Sequence, residues 1–242
     1  MAIVAHPDDE SLIAGGTLAL AGRAGARTGV VCMTRGEHGP ISDPALASQR
    51  QLAEVRVAEL RNAGRALGLA WSTCLTYPDG ELPWIDQELA AAELAALLAS
   101  HAPDVILTFG EDGLYGHPDH AAAAAIAAQA IRRLEGPVEI YEAVWPDGMV
   151  GELVAAAAGR GLPHDLWGLD PEAFGSGRTA EMIVDVRAVL AQKLSALRSH
   201  RTQLAADHLL TALPLDLAER FLGSEAWAGP HEGRLRKLLP GD

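Results

Sequence analysis

Two short stretches of this sequence carry side chains suited to metal chemistry. His6-Pro7-Asp8-Asp9-Glu10 follows the apolar run Ala2–Ala5, and Gly116-His117-Pro118-Asp119-His120 lies shortly after the apolar run Val105–Phe109. Imidazole nitrogens and carboxylate oxygens are donors that suit zinc. Adjacent acids such as Asp8 and Asp9 point in different directions, so one can ligate while the other handles a proton. The three-residue spacing of His117 and His120 at a helix start lets one imidazole bind an ion while the other faces a substrate. Each stretch also has a plain reading: a polar turn whose Asp9 caps the next helix, and a pair of exposed loop histidines. Their joint occurrence after two strand-like runs weighs against both plain readings.

The elements that must position these residues alternate between strand and helix. Apolar or β-branched runs at Ala2–Ala5, Thr28–Thr34, Ser72–Leu75, Val105–Phe109, Val138–Val144 and Glu181–Asp185 read as strands. Helical periodicity marks Glu10–Gly25, Ala45–Leu67, Glu88–His101, Pro118–Leu134, Val186–Ser199 and a short Pro214–Leu222. Such alternation predicts an α/β fold, a Rossmann-like and mainly parallel sheet flanked by helices. Ligands of these sheets bind beyond the carboxyl ends of the strands, where both histidine motifs fall. The chain reads as a single domain over 1–242, with residues 146–178, rich in Gly and Pro, as a cap or insertion.

The 242 residues suffice to bury about 70–75% of the unfolded surface, so a metal is not needed merely to fold. Nineteen basic residues against 32 acidic ones give a net charge of −13, which disfavours nucleic acid and anionic membranes as partners. Cys32 and Cys74 are too few for a disulfide scaffold or a four-thiolate zinc site and are expected as reduced, buried thiols. No leader-like segment or membrane span is apparent, so a cytoplasmic protein is expected. A homo-oligomer is compatible with all of this.

In order along the chain, His6-Pro7-Asp8-Asp9-Glu10, Gly15-Gly16-Thr17, Thr34-Arg35-Gly36-Glu37, Arg56-x-x-Glu59, Gly116-His117-Pro118-Asp119-His120 and His200-Arg201-Thr202-Gln203 resemble the LmbE / PIG-L family of zinc-dependent de-N-acetylases. The resemblance runs from about Ile3 to Gln203. It implies hydrolysis of the N-acetyl group of a small molecule containing N-acetylglucosamine. It implies His6, Asp9 and His120 as zinc ligands, with iron(II) suited to the same donors. It makes Asp8 the general base, His117 an acid or electrophilic partner oriented and kept charged by Asp119, and Tyr115 a donor to the oxyanion. Three protein ligands would leave a position open for water. Glu37, Arg56 and Asp79 match positions that face a sugar substrate. Their plain alternatives are an i,i+3 pair of Arg56 with Glu59 and a turn role for Asp79. His38 reads as a loop residue and His200 as a structural one. His101, His164, His208 and His231 read as surface or packing residues. Trp145 and Trp167 read as core or rim residues with a capacity to stack on a sugar.

Three other readings are weighed. An amidase removing a larger acyl group from an amino-sugar conjugate would use the same site. A nucleotide-binding protein lacks its glycine signatures, since no Gly-x-Gly-x-x-Gly follows a strand and no Gly-x-x-x-x-Gly-Lys-Ser/Thr occurs. A non-catalytic metal or sugar binder would need neither Asp8 nor His117. Residues 146–178 carry no family signature, and substrate choice is expected there.

Overall fold

The computed structural model describes residues 1–175 and 177–239. Its strands are β1 (Ala2–Val4), β2 (Gly29–Thr34), β3 (Trp71–Tyr77), β4 (Val105–Thr108), β5 (Glu139–Val144), β6 (Met182–Asp185) and β7 (Ser224–Ala228). They form one seven-stranded sheet in the order β3-β2-β1-β4-β5-β7-β6. The first five are parallel, and β7 runs antiparallel to both β5 and β6. β1, β2 and β4 are buried at every residue, as expected of parallel strands covered on both faces. That explains why they read as continuous apolar runs.

The helices are α1 (Asp9–Ile13), α2 (Gly15–Arg23), α3 (Leu52–Leu67), α4 (Gln87–His101), the single turn α5 (Gly113–Gly116), α6 (Pro118–Ile131), α7 (Met149–Ala158), α8 (Leu190–Leu197), α9 (Leu209–Ala212), α10 (Leu215–Leu222) and α11 (Arg234–Leu238). α4 packs on α6, while α2, α3 and α8 pack together. Successive strands β1, β2 and β3 step one way from β1, and β4 and β5 step the other way. The order therefore reverses between β1 and β4, and a crevice forms at their carboxyl ends. His6 follows β1 and His120 follows β4.

A second apolar cluster adjoins the main core through Leu12, Tyr115 and Trp145. Val150, Leu153 and Phe174, from the segment expected as a cap, pack there with Leu194, Leu210 and Phe221. Among the described residues no helix is long and apolar enough to cross a membrane. Cys32 and Cys74 are both free, paired in register on β2 and β3, with Cys32 buried and Cys74 half-buried.

Three elements differ from the sequence expectation. The helix expected over Ala45–Leu67 begins at Leu52. Asp43 accepts the Ala45 N–H (2.8 Å) and Gln51 accepts from the Ser48 hydroxyl (2.7 Å), so side chains bind the backbone and one another in turns before the helix starts. The helix expected over Glu10–Gly25 breaks at Ala14, whose φ of −130° is non-helical. The break frees the N–H groups of Gly16 and Thr17 for the Glu225 carboxylate, each at 2.8 Å. It also admits only glycine at position 16, where a Cβ would sit 2.5 Å from that of Val186. Finally, β7 (SEAWA) has no β-branched residue to mark it, yet it pairs antiparallel with β5 and β6, and its buried Glu225 meets Lys193 at 2.6 Å.

Candidate metal centre and active site

Asp9 is the hub of the site. Its Oδ2 accepts the backbone N–H of His6 (2.8 Å) and lies 3.4 Å from His6 Nδ1, and its Oδ1 lies 3.3 Å from His120 Nε2. The far side of each ring fixes where its proton sits. His6 Nε2 faces two carboxylates, Asp79 Oδ1 at 3.0 Å and Asp119 Oδ2 at 3.2 Å. His120 Nδ1 faces the carbonyl of Gly113 at 3.2 Å. Carboxylates and carbonyls only accept, so in the neutral rings those nitrogens carry the hydrogen. The lone pairs then fall on His6 Nδ1 and His120 Nε2, both turned toward the Asp9 carboxylate. His120 Nε2 is buried with no hydrogen-bond partner.

Lone pairs facing anionic oxygens repel unless a cation or a proton lies between them. Two ligands about 2.0–2.2 Å from a tetrahedral ion stand roughly 3.3 Å apart, which matches both Asp9 contacts. Without an ion, protonation relieves the repulsion. Burial opposes a charge on His6, but Asp119, Asp79 and Asp9 outweigh it and hold its pKa well above the ordinary value. Burial likewise opposes the Asp9 charge, yet His120 and His6 pull its carboxyl well below the usual range. The residues fit a divalent ion held by a carboxylate and two imidazoles whose other nitrogens are anchored. His117 brings a ring nitrogen within 4.8 Å of those of His6 and His120, and His6, Asp79 and Asp119 form a second such group.

Asp8 adopts φ 124°, a region that L residues avoid, at a cost of about 1–3 kcal/mol. Its surroundings hold it there. Its N–H donates to Glu10 Oε2 (2.9 Å), and Arg56 Nη2 donates to both Pro7 O (2.6 Å) and Asp8 Oδ2 (3.1 Å). Arg56 Nη1 reaches Gly36 O at 2.8 Å, where any Cβ on Gly36 would lie 2.3 Å from that nitrogen. Burial pushes the Asp8 carboxyl up to about 6 against the opposing pull of Arg56. Glu10 in turn is held by His200 Nε2 at 2.8 Å, deep in the interior. The expected structural role of His200 thus has a definite object.

Asp119 meets His117 through its backbone N–H, while its carboxylate turns elsewhere. Its carboxylate accepts the N–H groups of Gly80 (2.8 Å) and Leu82 (3.1 Å) and meets His6, so it anchors a ligand candidate and the loop carrying Asp79. His117 caps α6, with Nδ1 accepting the Asp119 N–H at 3.2 Å, and the Asp119 side chain itself is buried. Burial and the neighbouring His120 and His6 push the His117 pKa down to about 4, outweighing the upward pull of Asp9 and, as expected, of Asp119. The neutral ring carries its proton on Nε2. Tyr115 packs edge-on against His117 and His120, at ring distances of 5.8 and 5.3 Å.

His6, Asp8, Asp9, Tyr115, His117 and His120 line a cavity of about 380 Å³ together with Asp79, Arg56, His38, Gln203 and several leucines. Arg56 makes no pair with Glu59, which instead accepts from Thr202 N–H (2.8 Å) and Oγ1 (2.6 Å). Asp79 is more than a turn residue: burial opposes its charge, but the contact with His6 brings its carboxyl to about 2. Glu37 stands behind the wall, with Oε1 accepting the Asp79 N–H at 3.2 Å. His38, read from sequence as a plain loop residue, donates its N–H to Asp79 Oδ2 at 2.8 Å and lines the cavity. Its position beside Thr34-Arg35-Gly36-Glu37 was the available signal. Phe174 and Trp167 bring the cap segment to the same cavity; Trp167 takes a rim position, and no spacing announced Phe174.

A buried set of imidazole and carboxylate donors at the switch point of a doubly wound sheet, with a second carboxylate clamped beside it, defines a metal-dependent hydrolase. The chain belongs to the PIG-L family, whose profile, described as GlcNAc-PI de-N-acetylase, matches residues 1–131, from β1 to α6. It is accordingly a hydrolytic de-N-acetylase. Over 247 residues it is 33% identical to a 1D-myo-inositol 2-acetamido-2-deoxy-alpha-D-glucopyranoside deacetylase of Acidothermus cellulolyticus, covering 91% of this chain and 85% of that one. Two solved structures share the fold. The N,N'-diacetylchitobiose deacetylase of Pyrococcus horikoshii has a TM-score of 0.68 at 22% identity, covering 95% of this chain and 82% of the other. GalB, the 4-carboxy-2-hydroxymuconate hydratase of Pseudomonas putida, has a TM-score of 0.66 at 19% identity, covering 94% of each chain. The hydratase is a reminder that this fold hosts more than one chemistry, so the reaction is argued from the site.

Proposed function

We propose that this chain is a zinc-dependent hydrolase that removes the N-acetyl group from a small molecule containing N-acetylglucosamine. One observation carries the reading: His6 Nδ1 and His120 Nε2 both face the buried Asp9 carboxylate, at 3.4 and 3.3 Å, and His120 Nε2 has no hydrogen-bond partner. The relative's name directs the choice of substrate, and the inositol glycoside of N-acetylglucosamine is the first compound to assay.

His6, Asp9 and His120 would hold the ion, and iron(II) suits the same donors. When bound, zinc supplies Lewis acidity and lowers the pKa of water to about 7. Asp8 takes the proton of the attacking water and passes it to the departing amine, and Arg56 keeps the carboxylate in reach. His117 donates its Nε2–H to the amide oxygen as negative charge grows there, and the Tyr115 hydroxyl adds a second donor. Asp79 accepts from a sugar hydroxyl at the cavity wall, with Glu37 bracing it from behind. Arg56 acts on substrate mainly through Asp8.

The test is metal content and product. Protein purified without chelator should carry one zinc per chain and release acetate, and Asp8→Ala should keep the zinc while turnover falls at least about a hundredfold. Absence of a tight divalent site, together with a His6→Ala variant that behaves as the parent, would sink the reading. The leucine wall of the cavity (Leu12, Leu197, Leu204, Leu210) favours a second reading, an amidase taking a larger acyl group. A panel of N-acyl glucosaminides separates the two by which acid appears.

A further inference from the structure

Cys32 and Cys74 stand directly opposite each other on β2 and β3, as Cα partners of a parallel pair. Side chains alternate between the faces of a strand, and in-register partners of a parallel pair share a face. Neighbouring strands lie about 4.7–4.9 Å apart, and a disulfide joins Cα atoms about 4.4–6.8 Å apart. The spacing of the ladder therefore suits a bridge. The register of the two strands shifts between Cys32 and Thr34. The ladder is already interrupted beside Cys32, so the backbone there can take up the adjustment that a bridge requires. The pair has an inner and an outer member. Cys32 is fully buried. β3 is the edge strand of the sheet, and Cys74 is half-buried and lines a cavity of about 310 Å³ with Arg35, Val57, Arg61 and Thr73. Burial, and after it the Cys74 thiol, push the Cys32 thiol well above its ordinary pKa. Cys74 is thus the thiol that a reagent meets first, and Cys32 the one that resolves the adduct. The hydrolysis uses neither.

We propose that Cys32 and Cys74 form a reversible dithiol–disulfide switch, closed by a low-molecular-weight disulfide that enters at Cys74. The Cys74 thiolate attacks one sulfur of the reagent, whose S–S bond breaks and releases the first small thiolate. Cys32 then attacks Cys74 Sγ, forms the protein disulfide and expels the second, its proton passing to the departing sulfur. The pair loses two electrons and two protons, and the reagent becomes two small thiols. The bridge bears on the active site through chain order. β2 continues from Cys32 through Thr34 to Gly36, whose carbonyl accepts Arg56 Nη1 at 2.8 Å. Arg56 Nη2 holds Pro7 O and Asp8 Oδ2. Closing the bridge displaces the Gly36 carbonyl and loosens the clamp on Asp8. This effect on turnover rests on the reading of Asp8 as the base; the formation of the bond does not.

The experiment treats the zinc-loaded protein with hydroxyethyl disulfide and then reverses the treatment with dithiothreitol. The intact mass should fall by about 2 Da, the two hydrogens lost, and digestion should yield one peptide linking Cys32 to Cys74. kcat should fall by about tenfold, as for a slight misplacement of a catalytic group. Zinc should be retained, KM should barely move, and the reductant should restore the rate. Cys74→Ser should keep the parent's turnover and become indifferent to the reagent. Cys32→Ala should stop at a single adduct on Cys74. Two free thiols in the parent after treatment overturn the proposal, and so does a closed bridge with unchanged kcat. Absence of hydrolysis by the untreated protein, read before the reagent is added, overturns the reading of Asp8 and the switch with it.

Discussion

Asp119 stands 3.2 Å from His6, not beside the histidine two residues before it in sequence. Its other contacts, to the N–H groups of Gly80 and Leu82, make it a brace between a metal-ligand candidate and the loop that carries Asp79. A carboxylate on the outer nitrogen of a ligating imidazole fixes the tautomer and strengthens the donor. Asp119→Asn should therefore weaken zinc binding by about 10–100-fold, read by competition with a chelator. If affinity were unchanged and only turnover fell, Asp119 would belong to the chemistry and not to the ion.

Arg56 makes a different kind of support. It spends one terminal nitrogen on Gly36 O and the other on Pro7 O and Asp8 Oδ2. Lysine offers a single charged nitrogen and cannot fork onto all three acceptors. Arg56→Lys should keep its zinc and lose kcat by roughly a hundredfold, the amount expected when a general base leaves its position. A loss confined to KM would instead show Arg56 acting on the sugar directly.

The legibility of the site was uneven for physical reasons. His6, Asp9 and His120 lie at the carboxyl ends of buried parallel strands, so their placement followed from apolar runs and motif order. What escaped were contacts between distant segments. Glu225 reaches the start of α2 across 209 residues of sequence, and Thr202 reaches Glu59 across 143. β7 lacks β-branched residues and carries an acid that is buried only because Lys193 meets it, a tertiary contact that strand propensity cannot register. The contacts of the Asp119 carboxylate with His6, Gly80 and Leu82 also join distant segments and leave no mark in the local motif.

That buried pair supports a stability prediction. Glu225 accepts from Lys193 Nζ and from two backbone N–H groups, and both side chains are only 2% exposed. Removing the cation leaves a buried carboxylate without its counter-charge, which costs about 3–5 kcal/mol. Lys193→Met should show that loss in urea unfolding while the folded fraction keeps its zinc. A change under about 0.5 kcal/mol, as at an ordinary surface site, would mean that the N–H groups alone satisfy Glu225.

The Glu10–His200 pair gives a pH signature. Burial opposes the charge on His200, but Glu10 raises its pKa above the ordinary 6.5. Burial likewise opposes the charge on Glu10, and His200 lowers its pKa below 4.5. A raised histidine contributes stability that is fully present below 6.5 and is lost as pH rises through the folded value. A lowered carboxyl contributes stability above 4.5 that is lost as pH falls. The contribution of the pair is therefore full between those two values and declines on either side. The stability difference between the parent and His200→Gln should be largest near about pH 5.5 and should shrink steadily toward about pH 9. Urea unfolding of chelator-treated protein across that range measures it, with ion binding out of play. A difference independent of pH would mean that His200 serves Glu10 as a neutral donor, and that the interior charge pair does not form.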